Sequence, residues 1–326
     1  MEVTVQTERW PLAAPFETAR EVMHDVPVIS VVLRDRDGHC GRAEAAGVDY
    51  DGETPASMST LIRSIVERGN ETLSFAEITA ALPPGGARNA IDCALWDLEA
   101  KRSGVSAHVR AGVLIPQPLI TALTLGLADS SELRRRARAA STHPLIKLKL
   151  DANRHLDVVR AVREEAPDAR LVVDANQAWS IGLLDRLLPD LDDLGVEMIE
   201  QPLPRDHDDD LVGFDSPIVI AADESCTDRA SLAALMGRYQ AVNIKLDKSG
   251  GLTEALALAR EARALGLDVM VGNMCGTSLA MAPAFLVASH ARWVDLDGPL
   301  LLEHDRKPSM AYDNGLVFPP PAALWG

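Results

Sequence analysis

The chain has 326 residues, 47% of them hydrophobic, enough to bury an extensive core in one large domain with a smaller companion, which argues against disorder. Its net charge of −16 serves solubility and repels polyanions over most of the surface, so neither nucleic acid nor a membrane surface is expected as a partner. The opening MEVTVQTERWPL has no positive segment leading into an apolar one, no run approaches the ~18 apolar residues of a membrane span, and Cys40, Cys93, Cys226 and Cys275 show no metal-ligand spacing, which together read as a cytoplasmic protein with reduced core cysteines.

Residues 2–9 and 27–34 (VPVISVVL) read as strands separated by a loop, and Glu53 to about Arg68 as a helix entered from DGETP, giving an α+β opening. In LPPGGARNAIDCALWDLEAKRSG (82–104), Pro and Gly precede a helix whose apolar residues Ile91, Ala94, Leu95 and Leu98 recur at helical spacing and which stops at Gly104. This helix is expected to pack on the next domain. From about Ile120, β-rich runs alternate with helical ones: ITALTL, LIKLKL, LVVDAN, VEMIEQ, IVIAAD, AVNIKLD, LDVMVGN and RWVDLD. With HLDVVRAVREEAP, RASLAALMGR and LTEALALAREARALG between them, eight such strands predict a closed parallel barrel ringed by helices. After DLDGP (295–299) the alternation is lost, and EHDRKPSMAYDNGLVFPP reads as a tail that turns at DNG (313–315) and returns to the first domain. The division expected is 1–112, 113–300 and 301–326.

Asp174, Glu200 and Asp223 each close a short apolar run, at intervals of 26 and 23 residues that match one strand plus one helix. KLK (147–149) precedes them and NIKLD (243–247) follows, so lysines face each other across three carboxylates. Hard oxygen ligands contributed singly from separate strands suit a hydrated Mg²⁺ with positions open to substrate oxygens, and lysines on both sides suit proton removal from two opposite faces. Residues i and i+2 of a strand share a face, so Lys147 and Lys149 stand together, as do Asp295 and Asp297 on the last strand. Counted in order, the lysine pair leaves strand 2, the three acids strands 3, 4 and 5, Lys245 strand 6 and the aspartate pair strand 8. All of these charges then converge on one mouth. Taken singly, each is as readily a solvated rim residue, and a structural ion-pair network is the alternative for the set.

These passages, together with WPLAAPF, PPGGARNAIDCALWDLEA, VVDANQAW, EQPLP, ADESC, VNIKLDKSGGLTEALALA and DLDG, resemble the enolase superfamily, in its muconate-lactonizing-type subgroup, and most closely the dipeptide epimerases, including those acting on L-Ala-D/L-Glu. The resemblance runs nearly end to end. It implies an α/β fold, a (β/α)₇β TIM-like barrel with an α+β capping domain formed by the N-terminal region and the C-terminal tail. It also implies that Asp174, Glu200 and Asp223 bind Mg²⁺, which chelates the substrate carboxylate. Lys149 and Lys245 are then the acid/base pair on opposite faces of the α-carbon, with Lys147 an electrostatic aid, and Asp295 and Asp297 bind the α-ammonium of a small dipeptide. Murein-peptide metabolism follows from the resemblance alone, and a homo-oligomer is left open.

A lysine at its reference pKa of ~10.4 is neutral in about one molecule in 2,500 at pH 7, so a catalytic base needs a pKa lowered by ~3 units, roughly 4 kcal/mol. That lowering is expected from the neighbouring lysine and from desolvation. Specificity in the family rests on two cap loops, here FETAREVMHD (16–25) and GVDYDGETP (47–55). They offer Arg20 as a basic group for a substrate carboxylate, amid Glu21, Asp49 and Asp51, and Tyr50 where many relatives carry an Arg-Tyr-Gly-Glu run. Met274 and Cys275 in GNMCGTSL (272–279) are expected to line the pocket, Cys275 as wall rather than nucleophile. L-Ala-D/L-Glu is the default substrate, with neutral or cationic second residues as an alternative. The rival functions are another enolase-type reaction (o-succinylbenzoate synthesis, N-succinylamino acid racemisation or cycloisomerisation), a Schiff-base lysine barrel, and a non-catalytic metal-binding protein.

Overall fold

The computed structural model describes residues 1–66, 74–114 and 116–326. Strands β1 (Glu2–Glu17), β2 (Val22–Arg34) and β3 (Cys40–Ala45) form an antiparallel sheet. The first two run further than expected: after an irregularity between Pro11 and Phe16 the register resumes at Phe16↔Met23 and Glu17↔Val22. Most of 16–25 is therefore the end of a hairpin, and only Thr18–Glu21 turns. Burial of Phe16 favours this extension. The helix expected from Glu53 starts at Pro55 and is described to Val66, its predicted end at Arg68 lying outside the described residues. A further helix, Phe75–Ala81, was not expected, although Ser74 and Glu77 form a reciprocal capping box legible in the sequence.

Helix Gly86–Ser103 ends at Gly104, whose φ of 68° is the left-handed cap a glycine supplies without strain. It lies between the sheet and the barrel, buried on nearly every side. At Gly41 the strand comes so close that a Cβ there would sit 2.1 Å from Ala94 O and 2.4 Å from Leu98 N.

Past β4 (Leu119–Ile120), eight parallel strands follow one another around the second unit: β5 (Leu123–Leu125), β6 (Leu145–Lys149), β7 (Arg170–Asp174), β8 (Val196–Glu200), β9 (Val219–Ala222), β10 (Ala241–Ile244), β11 (Asp268–Val271) and β12 (Trp293–Val294). A hydrogen bond from Ala122 N to Val294 O (2.7 Å) joins the first strand region to the last and closes the barrel. Outer helices such as Leu156–Glu165, Ile181–Asp193 and Leu252–Ala264 connect the strands. One residue from or beside each strand fills the floor: Ala122, Leu145, Val172, Met198, Ala221, Ala241, Met270 and Trp293. The run expected as one strand at 120–125 is split, because β4 pairs instead with β14 (Leu316–Val317) of the hairpin it forms with β13 (Tyr312–Asp313) across the DNG turn.

The tail continues to the first unit, where Trp325 Nε1 donates to Cys93 O (3.0 Å) and Gly326 N to Asp97 (2.7 Å). Arg306 reaches Glu8 (2.7 Å) and the buried Glu44, whose carboxylate also accepts from Thr277 Oγ1 at 2.6 Å. Asp247, two residues past Lys245, accepts from Gly47 N (2.8 Å), and Glu53 accepts from Val48 N and Gly86 N (both 2.8 Å). Asp247 thereby fixes Gly47 to the barrel, and Glu53 ties the 47–53 segment to the start of helix Gly86–Ser103.

Gly41→Ala should cost about 3 kcal/mol, since the clash is with helix backbone that cannot swing aside, and urea unfolding will measure it. Burial, reinforced by Glu53 and Glu44, raises the Asp247 pKa to about 7. The folded state then holds a proton that the unfolded chain releases near pH 4, so this group's contribution to stability falls as pH rises from about 4 to 7. Asp247→Asn should lose less stability than wild type between pH 5 and 8; parallel slopes would exclude the effect.

Candidate active site

Every second side chain of a strand faces the barrel axis. Two positions beyond the floor residues Leu145, Val172, Met198, Ala221, Ala241 and Trp293 stand Lys147, Asp174, Glu200, Asp223, Asn243 and Asp295. Two further on from the first and the last two come Lys149, Lys245 and Asp297. The aspartate pair lies just past β12, not on it: Asp295 N still bonds Val271 O (2.8 Å), while Asp297 precedes the helical turn Gly298–Leu301.

Asp174, Glu200 and Asp223 are fully buried and each offers an oxygen within 4.8 Å of the others. Lys147 Nζ lies 3.2 Å from Asp174, 2.7 Å from Glu200 and 2.9 Å from Asp295. Lys149 Nζ donates to Asp174 (2.6 Å) and Lys245 Nζ to Asp223 (2.7 Å). Glu200 Oε1 accepts from Asn243 Nδ2 (2.7 Å), but the buried Oε2 has no aligned hydrogen bond despite the nearness of Lys147. A buried carboxylate oxygen left in this way, within an all-oxygen trio, fits a hard divalent cation.

Burial pushes Glu200 up to about 7, with Asp174 adding to it. Burial opposes ionisation of Asp174 and Asp223 as well, yet Lys149 with Lys147, and Lys245 with Lys248, hold them below the usual carboxylate range. The lowering expected of a catalytic lysine is not found at Lys245. Burial would lower Lys147 and Lys245, but Asp295, Glu200 and Asp174 around the first, and Asp223 and Glu200 around the second, raise both. Facing carboxylates outweigh the neighbouring ammonium.

A cavity of about 430 Å³ lies between the hairpin end and the barrel mouth, lined by Lys147, Lys149, Lys245, Asp295, Asp297, Arg20, Met274 and Cys275 among others. Thr124 N donates to Asp297 (2.6 Å) and Thr124 Oγ1 to Asp295 (3.2 Å). Burial and the Asp295 charge raise Asp297 to about 8, whereas Lys147 holds Asp295 low against its own burial. Burial, with Asp297 nearby, pushes the Cys275 thiol up to about 12, consistent with a wall residue. Tyr50 does not line the cavity. Its ring lies 4.7 Å from the Arg20 guanidinium.

Sequence reasoning missed several residues of the site. Lys248, buried, donates to Asp223 Oδ1 (2.6 Å) and Asn243 O (3.0 Å), and buried Glu224 accepts from Arg20 Nη1 (2.7 Å). Gln201 Oε1 accepts from Asp223 N (2.9 Å) and Ser225 N (3.1 Å), tying the ends of β8 and β9 together. Their only sequence signal was proximity to Glu200, Asp223 and Lys245 in EQP, ADES and KLDK.

Residues 1–109 match the family described as mandelate racemase / muconate lactonizing enzyme, N-terminal domain, and residues 130–323 the family described as enolase C-terminal domain-like. The chain is 42% identical over 318 residues to an L-Ala-D/L-Glu epimerase of Escherichia coli (strain K12), covering 96% of this chain and 98% of that one. It is 41% identical to an N-acetyl-D-glutamate racemase of a Pseudoalteromonas species, over 92% of this chain and 95% of the other. An enolase family member from Agrobacterium tumefaciens with homology to dipeptide epimerases, solved with sodium and L-Ala-L-Glu bound, superposes with a TM-score of 0.96 at 41% identity over 99% of both chains. With both parts of the fold matched and the barrel-mouth acids and amines in place, the chain belongs to the mandelate racemase/muconate lactonizing enzyme family of the enolase superfamily.

Proposed function

We propose that this protein is an isomerase, a Mg²⁺-dependent dipeptide epimerase that inverts the α-carbon of the C-terminal residue, with L-Ala-D/L-Glu as default substrate. The observation that carries the reading is one cavity reached by Lys149 and Lys245 from strands on either side of the acid trio and lined by Asp295 and Asp297. The resemblance to epimerases along nearly the whole chain supports it. Residues 1–112 and 301–326 serve as the cap and 113–300 as the catalytic barrel. The setting proposed is murein-peptide metabolism in the cytoplasm, for which free, scattered cysteines and likeness to an L-Ala-D/L-Glu epimerase speak.

A proton α to a carboxylate is very weakly acidic, so its removal requires fixed positive charge where the enediolate develops. Mg²⁺ held by Asp174, Glu200 and Asp223 would take up their charge, bind the substrate carboxylate and leave the adjacent amines easier to deprotonate. Lys149 and Lys245 exchange the proton on opposite faces. Lys147, wedged between Glu200, Asp174 and Asp295, stays protonated and supplies charge without transferring it. Asp295 and Asp297 hold the substrate's ammonium, whose charge replaces the proton that Asp297 otherwise keeps at neutral pH. An N-acylated substrate brings no such cation. A Schiff-base mechanism would use one amine and give no role to the second amine or to the acid trio that lies between them.

Lys149→Met and Lys245→Met should each cut epimerisation of L-Ala-L-Glu by about 10²–10⁴-fold. In D₂O each variant should retain slow α-proton exchange with only one epimer, the opposite one in the two cases, and EDTA should abolish exchange in the wild type. Turnover that survives EDTA and is trapped by borohydride would instead support the Schiff-base reading. Asp297→Gly should lower kcat/KM for L-Ala-L-Glu by about 30-fold or more, near the low end of the worth of a desolvated charge pair, and should affect N-acetylglutamate far less. An unaltered dipeptide rate would count against ammonium binding here.

A further inference from the structure

We propose that Glu224 is the positioning residue that aims Arg20 at the side chain of the substrate's C-terminal residue, and so makes the pocket selective for an acidic one. The inference rests on the dipeptide reading above, with Arg20 as the basic group that meets its second side chain, and adds the residue that fixes that group.

Arg20 lies on the turn between β1 and β2, and Glu224 follows the end of β9 on the barrel, so their 2.7 Å bond crosses from cap to barrel. The turn itself is braced by Thr18 N to Glu21 O (2.9 Å), and the hairpin end by Leu127 N to Glu17 O (2.8 Å). The Arg20 head group is therefore fixed separately from its backbone. One N–H is taken by Glu224, and one face lies 4.7 Å from the Tyr50 ring, against which Arg205, itself bound to Asp51 at 2.6 Å, also rests at 5.6 Å. A guanidinium has five N–H donors in a planar fork. Among the described residues the Arg20 side chain makes no second hydrogen bond, and it lines the cavity. Donors held in a fixed plane and not yet used suit a carboxylate bidentately.

Glu224 has no exposed side-chain surface, and its Oε2 is buried without a partner. A carboxylate so placed, with Lys245 also acting on it but Arg20 its one ion-pair partner among the described residues, cannot release that partner cheaply. Arg20 is thereby kept from turning to Glu21 or Asp49, which lie at the lip of the same cavity. A neutral second side chain would leave the arginine donors unpaired in a confined site, and a lysine would meet like charge.

The test is kcat/KM for L-Ala-L-Glu, L-Ala-L-Leu and L-Ala-L-Lys, read as α-deuterium exchange, in wild type, Glu224→Ala and Glu224→Gln. Mg²⁺ affinity is measured separately by calorimetry, because Glu224 adjoins Asp223. Wild type should prefer L-Ala-L-Glu, and Glu224→Ala should lower the Glu/Leu ratio by about tenfold or more, chiefly through KM, at matched Mg²⁺ saturation. Glu224→Gln keeps an oxygen for Arg20 and should restore the ratio to within about threefold of wild type. If Glu224→Ala does not fold, Glu224→Asp, which withdraws the carboxylate by one methylene, should show the same fall. A ratio that is unchanged or increased, a Glu224→Gln variant as impaired as Glu224→Ala, or a wild-type preference for Leu or Lys overturns the proposal. Exchange with no dipeptide at all defeats the dipeptide reading itself, a result distinct from any change in ratio.

Discussion

Carboxylates and ammonium groups buried against one another at the barrel mouth are the constraint on which the rest of the molecule depends. Taking any one of Asp174, Glu200, Asp223 or Lys147 out of water alone would cost several kcal/mol, and each is tolerated because the others neutralise it at distances near 3 Å. Such a cluster does not favour folding, so the surrounding structure must hold it. The apolar floor beneath and the closed ring of strands around it do so. A site assembled under that restraint has its electrostatics set before any ligand arrives, which is the condition for stabilising charge that appears only during reaction.

Polar contacts join the cap to this mouth in addition to apolar packing such as that of Phe16 and Leu12 against Leu302. Asp247 holds the backbone at Gly47, Glu44 binds Thr277 and the Arg306 of the tail, and Glu224 holds the Arg20 head group. Asp247 and Lys245 are two residues apart, so one short segment carries both an amine of the site and an anchor of the loop above it. A shift of the cap is thus felt at the barrel end of β10 without passing through a long chain of contacts.

Much of this was legible because a barrel strand repeats every two residues. Once the floor residues are apolar, the next inward position is fixed, and charges recurring there on successive strands call for an explanation that one alone would not; Lys147, Asp174, Glu200 and Asp223 stand out as such a set. Thr18–Glu21 was harder to delimit, since FETAREVMHD has no glycine or proline to mark a turn and its pairing depends on a register irregularity at Pro11. Glu224 and Lys248 could not be assigned from the chain because they sit off the two-residue repeat, just after Asp223 and Lys245, which draw all the attention. Their partners, Arg20 and Asp223, were named, but not who holds them. The direction of the pKa shift at Lys245 was misjudged because lysine neighbours were weighed and carboxylates were not, whereas in space Asp223 lies 2.7 Å from its Nζ.

The floor of eight mainly apolar side chains, with Trp293 and Met198 among them, has a consequence for traffic. It seals the far end of the barrel, so whatever reaches Lys149 and Lys245 arrives past the hairpin and departs by the same doorway. Both epimers share one exit, and a compound lodged beside Arg20 would obstruct the forward and reverse reactions alike.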